Sequence, residues 1–190
     1  MKNLKLRLAV LAAAGIFTFT GSSMAQTMDK TVIVGMEQMY PAKNIVENAV
    51  NSKAHTTLVA ALQAADLVTT MQGPGPFTVF APTNDAFENL PAGTVESLLK
   101  PENKKALSNI LTFHVVSGTY TFDELSKLIK KGMGTATLKA LNGGTLTFMM
   151  NGPHNIMVKD ENGGMSNISV YDVMQSNGVI HSLDSVLLPK

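Results

Sequence analysis

The hydrophobic period changes once along this chain, near Thr137, and that change constrains the fold more than any other feature. Beyond it, apolar residues alternate with polar ones and glycine turns recur at short intervals. Leu138-Lys139-Ala140-Leu141 and Thr145-Leu146-Thr147-Phe148 flank Asn142-Gly143-Gly144, which predicts a hairpin. Further turns are expected at Asn151-Gly152-Pro153, Asn162-Gly163-Gly164 and Asn177-Gly178. They separate strands over Asn155–Lys159, Ser166–Val170 and Val179–Leu188. Asp160-Glu161, beside one of these turns, reads as a solvated loop.

The half before Thr137 carries helical spacing. A short helix is expected over Ile45–Val50. In the next, capped by Thr56 or Thr57, Leu58, Ala61, Leu62 and Ala65 repeat at i, i+3, i+4, i+7 and define one buried face. Gly73-Pro74-Gly75-Pro76 is a turn rather than a phosphate loop, because its prolines lack N–H groups and no Gly-Lys-Ser/Thr follows. Phe77-Thr78-Val79-Phe80 then starts a strand, and Thr83 or Asn84 caps a helix with Asp85 in its first turn. Pro101 opens another helix, with Leu107, Ile110, Leu111 and His114 on one face. Thr121-Phe122-Asp123-Glu124 is a capping box for a third, ending near Gly132. Helices first and an antiparallel meander last predict an α+β fold with a sheet sandwich.

The first 25 residues stand apart. Lys2, Lys5 and Arg7 precede an apolar stretch over Leu8–Phe19, and Ser23 and Ala25 are small, so residues 1–25 read as a secretory signal cleaved after Ala25. The stretch is shorter than the roughly 20 residues a membrane span needs. Residues 26–43 form an N-terminal arm, and 44–190 form one domain. Removing three positive charges turns the net charge of +1 into −2. That mildly acidic surface, without a basic run, argues against nucleic acid and anionic membranes as partners. The chain has no Cys, which excludes disulfides, thiol nucleophiles, Cys zinc sites and iron–sulfur clusters.

Two segments together resemble the signatures of the fasciclin domain. One is Phe77-Thr78-Val79-Phe80-Ala81-Pro82-Thr83-Asn84-Asp85-Ala86-Phe87; the other runs from Asn177-Gly178-Val179-Ile180-His181 to Pro189. Between them, Ile110-Leu111-Thr112-Phe113-His114-Val115-Val116 is similar to the family's Tyr-His segment, with Phe in place of Tyr. Thr57–Leu62 resembles its opening helix. The resemblance, over about Asn44–Pro189, implies a β-sandwich wedge flanked by helices of the N-terminal half. It implies a secreted or surface protein that mediates adhesion, without catalysis or cofactor, like the secreted mycobacterial antigens. The segment implicated in integrin binding in animal members maps onto Phe113 and His114.

Three functional classes compete. Adhesion rests on the resemblance, with Phe113, His114 and Tyr120 as candidate contacts to an extracellular or envelope protein or polysaccharide. Thr83, Asn84, His114, His181 and Asp184 are signature residues whose expected role is structural. A buried His is ordinarily a hydrogen-bonded link between backbone groups. The alternative is a periplasmic small-ligand or copper-binding protein. Ten of the 12 Met remain after signal removal, among them Met36, Met39, Met149, Met150 and Met157 near His154, and thioether and imidazole ligands suit Cu(I). The competing role of Met is to fill core gaps. A hydrolase is disfavoured. His181 and Ser182 are adjacent on a strand and point oppositely, and no Gly-x-Ser-x-Gly or His-Glu-x-x-His motif occurs.

Overall fold

A computed structural model describes residues 31–190, so the proposed signal over 1–25 and the first residues of the arm lie outside the described residues. The arm opens with a small hairpin, β1 (Val32–Val34) and β2 (Glu37–Met39). Three helices follow: α1 (Ile45–Ala49), α2 (Thr56–Ala64) and α3 (Val68–Gln72). Then come β3 (Phe77–Pro82), α4 (Asn84–Glu88), α5 (Thr94–Leu98), α6 (Lys104–Phe113), β4 (Val115–Ser117) and α7 (Phe122–Lys131). The chain ends in five strands: β5 (Thr135–Lys139), β6 (Thr145–Met150), β7 (Ile156–Lys159), β8 (Met165–Gln175) and β9 (Gly178–Leu183). The fold is α+β. Among the described residues, no helix is long and apolar enough to cross a membrane.

The local signals work as chemistry requires. Thr121 Oγ1 accepts from the Glu124 amide while the Glu124 carboxylate accepts from the Thr121 amide, so the capping box is closed in both directions. The helix stops at Gly132, where an added Cβ would meet the Thr135 carbonyl oxygen at 1.9 Å. The start of α2 departs from expectation. Thr56 and Thr57 both lie inside the helix, and the Thr57 amide is capped from outside by the Asn84 side chain, 3.0 Å away.

Where the sequence predicts a sheet sandwich, strands β3 to β9 form one continuous seven-stranded sheet, ordered β4-β3-β9-β8-β7-β6-β5. The meander from β5 to β9 is antiparallel, but β3 enters beside β9 in parallel, with Phe77 opposite Gly178 and Pro82 opposite Leu183. The 11-residue β8 pairs with β7 through Met165–Asn167 and with β9 through Ile168–Gln175. Two register shifts between Ile168 and Val173 bend it there, since a bulge increases local twist. The bend brings the sheet's edges together: Val116 bridges Ala140, and the Leu141 amide donates to the Val115 carbonyl at 2.8 Å. Strand β8 therefore runs past the expected end at Val170. Strand β9 stops at Leu183 rather than Leu188, because beyond it side chains replace the ladder as hydrogen-bond partners.

Two hydrophobic clusters lie on opposite faces of β3 and β9. Val79, Ala81 and Ile180 join the helical cluster with Ile45, Leu58, Leu62, Met71, Leu107 and Leu111; Val34 and Met39 of the hairpin close it. Phe80 and Leu183 point the other way, into Phe113, Leu125, Leu146, Phe148, Ile156 and Val158. Central strands buried on both faces read as continuous apolar runs, which is what Phe77–Pro82 shows.

Candidate functional site

Three buried histidines tie the strands to the loops. His181, fully buried on β9, stacks on Phe80 with ring centroids 5.6 Å apart and meets Tyr171 edge-on. The Asp172 amide donates to its Nδ1 at 3.3 Å, so the proton sits on Nε2, which donates to the Tyr120 carbonyl at 2.8 Å. Burial lowers its pKa, against the opposing pull of the Tyr120 bond and of Asp172. His114 has the other tautomer: Nδ1–H donates to the Ile110 carbonyl at 2.8 Å, and Nε2 accepts from the Leu187 amide at 3.0 Å. Burial pushes His114 down to about 4. His55, which no sequence motif singled out, lies between two hydroxyls: Ser52 Oγ at 2.8 Å from Nδ1 and Ser182 Oγ at 3.4 Å from Nε2.

Of the three rings, His181 helps to mount the segment leading into α7. The Tyr120 amide donates to Thr78 Oγ1 at 2.9 Å, and that hydroxyl donates to the Gly118 carbonyl at 2.7 Å. Two residues on, the Phe122 amide donates to Asp172 Oδ1 at 2.8 Å. Asp172 sits at φ +55° in the irregular stretch of β8, so one residue serves both His181 and Phe122. Tyr120 thus has its amide, its carbonyl and the next-but-one amide fixed by buried or strand-borne groups, while its ring is half-buried.

Thr119, beside it, lines an open groove of about 440 Å³ with Pro74, Pro76, Met174, Gln175 and Asn177. Asn177 holds the groove walls together. Its Nδ2 donates to the Met71 and Gly73 carbonyls at 2.9 and 3.1 Å, and its Oδ1 accepts from the Ile45 amide at 3.0 Å. Read from sequence as a turn residue and the first residue of the second signature, it links three elements.

The other expected site residues differ in burial and in hydrogen-bond partners. Phe113 is 0% exposed and His114 2%, so within this fold neither side chain can touch a partner; of the three candidate contacts, Tyr120 alone reaches the surface. Thr83 caps α4 through the Ala86 amide. Asn84 is not that cap: it bridges to the start of α2, with Nδ2 donating to the Lys53 carbonyl at 2.8 Å. Asp184 accepts from Ser166 Oγ and from the amide and side chain of Asn167. Partial burial alone raises its pKa, but these bonds and that from Ser185 outweigh it and hold the carboxyl below its ordinary value. Asp160 is not solvated but 7% exposed, and it accepts amide bonds from Asn162, Gly164 and Leu188, pinning the C-terminal tail.

Chemistry by Ser182 has no room. The hydroxyl is fully buried, and its histidine partner is His55 across the core rather than adjacent His181. The enclosed cavity beside His55, lined by Met39, Ile45, Leu62, Met71 and Ile180, measures about 30 Å³. A drug-sized ligand needs roughly 300 Å³ or more. Among the described residues, no group of three or more His, Asp or Glu side chains could hold a metal ion.

The family described as the Fasciclin domain matches residues 53–189. A protein of the cyanobacterium Synechocystis, protein sll1483, is 44% identical over 179 residues, covering 93% of this chain and 90% of its own. The immunogenic protein MPB70 of Mycobacterium bovis is 34% identical over 146 residues, covering 74% and 66%. Among solved structures, a FAS1 domain pair from the insect cell adhesion molecule Fasciclin I superposes with a TM-score of 0.69 at 18% identity. That match covers 78% of this chain and 52% of that one, and it carries the fold alone.

Proposed function

The chain belongs to the fasciclin domain family, and from that premise we propose that it is an exported, non-catalytic adhesion module holding an extracellular or envelope protein or polysaccharide. The reading is supported by the family match over residues 53–189 and by the signature segments Phe77–Phe87 and Asn177–Pro189, whose resemblance implies adhesion. The observation that carries it is the mounting of Tyr120: a half-buried aromatic ring on a backbone fixed through Thr78, His181 and Asp172. Preorganised aromatic contacts lose little conformational entropy on binding, which is what a recognition surface needs. The adjoining groove gives that ring a neighbouring wall of Pro, Thr and Met side chains.

The test is capture of envelope and matrix components on the immobilised protein, with retained material divided by protease and glycosidase treatment. Thr119→Glu and Met174→Glu change the groove rim without touching the buried histidines. Specific retention lost in both variants at an unchanged melting temperature is the expected result. Retention equal to wild type in both removes the site assignment, and no retention above a blank surface removes adhesion.

A further inference from the structure

The methionines divide by location, and one set has no core to fill. Met39 and Met71 are 3% and 2% exposed and pack inside, as gap-fillers do. Met149, Met157 and Met165 do not. On β6 the buried residues are Leu146 and Phe148, and on β7 Ile156 and Val158, so Met149 and Met157 project from the opposite, outer face. The strand register places Met149 directly opposite Met157. Cross-strand partners hold their Cβ atoms about 5 Å apart, within which two flexible thioether arms can converge on one ion. Met165, 48% exposed on β8, is the diagonal neighbour of Met157.

The loop joining β6 to β7 adds an imidazole to this pair. Residues 151–155 form a closed turn, with the Asn151 amide donating to the Asn155 carbonyl at 2.7 Å, and His154 stands exposed within it. His154 makes no hydrogen bond among those of the described residues, unlike the three buried histidines. The sequence Met149-Met150-Asn151-Gly152-Pro153-His154-Asn155-Ile156-Met157 therefore brings two thioethers and a free imidazole to one end of one hairpin.

We propose that Met149, Met157 and His154 form a surface site for Cu(I). Thioether sulfur is soft and neutral, so it selects a soft monovalent ion and offers nothing to Mg²⁺, Ca²⁺ or Mn²⁺. The face lacks carboxylates at the adjoining positions: Thr135, Asn167, Thr147 and Lys159 are the register neighbours. Lys159 repels a divalent ion twice as strongly as a monovalent one, which reinforces the choice. The site is independent of the adhesion reading, because Met149 and Met157 project from the face opposite the cluster on which Tyr120 packs.

The test is titration of the purified protein with Ag(I), a redox-inert soft probe, followed by Cu(I) in competition with a chromophoric chelator. Binding at one equivalent is expected to shift the methyl resonances of Met149 and Met157 and the ring resonances of His154. The double variant M149L/M157L keeps side-chain volume and so keeps the melting temperature. It is expected to weaken Cu(I) binding by at least about tenfold, the lower end of what even an indirect partner of a metal ligand contributes. Absence of saturable Ag(I) and Cu(I) binding overturns the proposal. So does binding that the double variant leaves unchanged, which moves the metal to other residues.

Discussion

The two hydrophobic clusters are built differently, although β3 and β9 contribute to both. The helical cluster is mostly aliphatic, with Phe87 as its buried aromatic ring, and carries the small cavity beside His55, whose contact to Ser182 is long. The sheet cluster is aromatic: Phe80 and Phe148 lie 5.0 Å apart, and Phe113, Leu146, Ile156, Val158 and Leu183 are all 0% exposed. Its histidine, His181, is stacked and hydrogen-bonded to backbone at both nitrogens. Recognition needs rigidity, and the half-exposed Tyr120 is attached to the tighter of the two.

The largest contrast comes from truncating the tight side. Phe148→Ala is expected to cost about 3–5 kcal/mol, because its neighbours come from several strands and cannot collapse together. Chemical denaturation checks this, and a loss below about 1 kcal/mol removes the claim of a jigsaw-packed sheet cluster.

Acid tests the histidines of both sides. Each has a folded pKa below its ordinary value of about 6.5, so the neutral form is the folded one. Their stabilisation is complete above pH 6.5 and is lost as pH falls through that value toward the folded pKa values, about 4 for His114. His114 alone accounts for on the order of 3 kcal/mol over that window. Unfolding free energy measured from pH 7 to pH 4 is expected to fall accordingly. A flat profile contradicts buried neutral rings.

Enlarging an alanine on each side is the sharpest comparison and the smallest effect. Ala140→Val, in the filled sheet cluster where the edges meet, is expected to lose about 1–3 kcal/mol. Ala49→Val points its added methyl groups toward the cavity and is expected to change stability by less than about 1 kcal/mol. Equal losses in paired melts erase the distinction between the clusters.

Much of this fold was legible because its turns and caps are local. Thr121 and Glu124, Asn142-Gly143-Gly144 and Asn177-Gly178 each declare their geometry within four residues, and the alternation after Thr137 gave four of the last five strands their faces. What escaped was polar and long-range. Asn84, Asn177, Asp160 and Asp172 look like cap or turn residues, yet their side chains bond groups far along the chain, such as Ile45 for Asn177 and Leu188 for Asp160. No periodicity announces such a pairing. The parallel entry of β3 beside β9 was hidden for the same reason, since about a hundred residues separate the partners. The burial of Phe113 and His114, expected as contacts, was not legible either; it arises because the end of α6 faces the sheet cluster.

The central claim is that Tyr120 is presented on a rigid mount rather than a pliable loop. Hydrogen exchange of the Tyr120 and Phe122 amides at neutral pH tests it most directly, since Thr78 Oγ1 and Asp172 Oδ1 accept from them. Protection within about tenfold of the β9 amides is predicted, as both bonds open only with the sheet cluster. Exchange near the rate of an unstructured peptide contradicts the account.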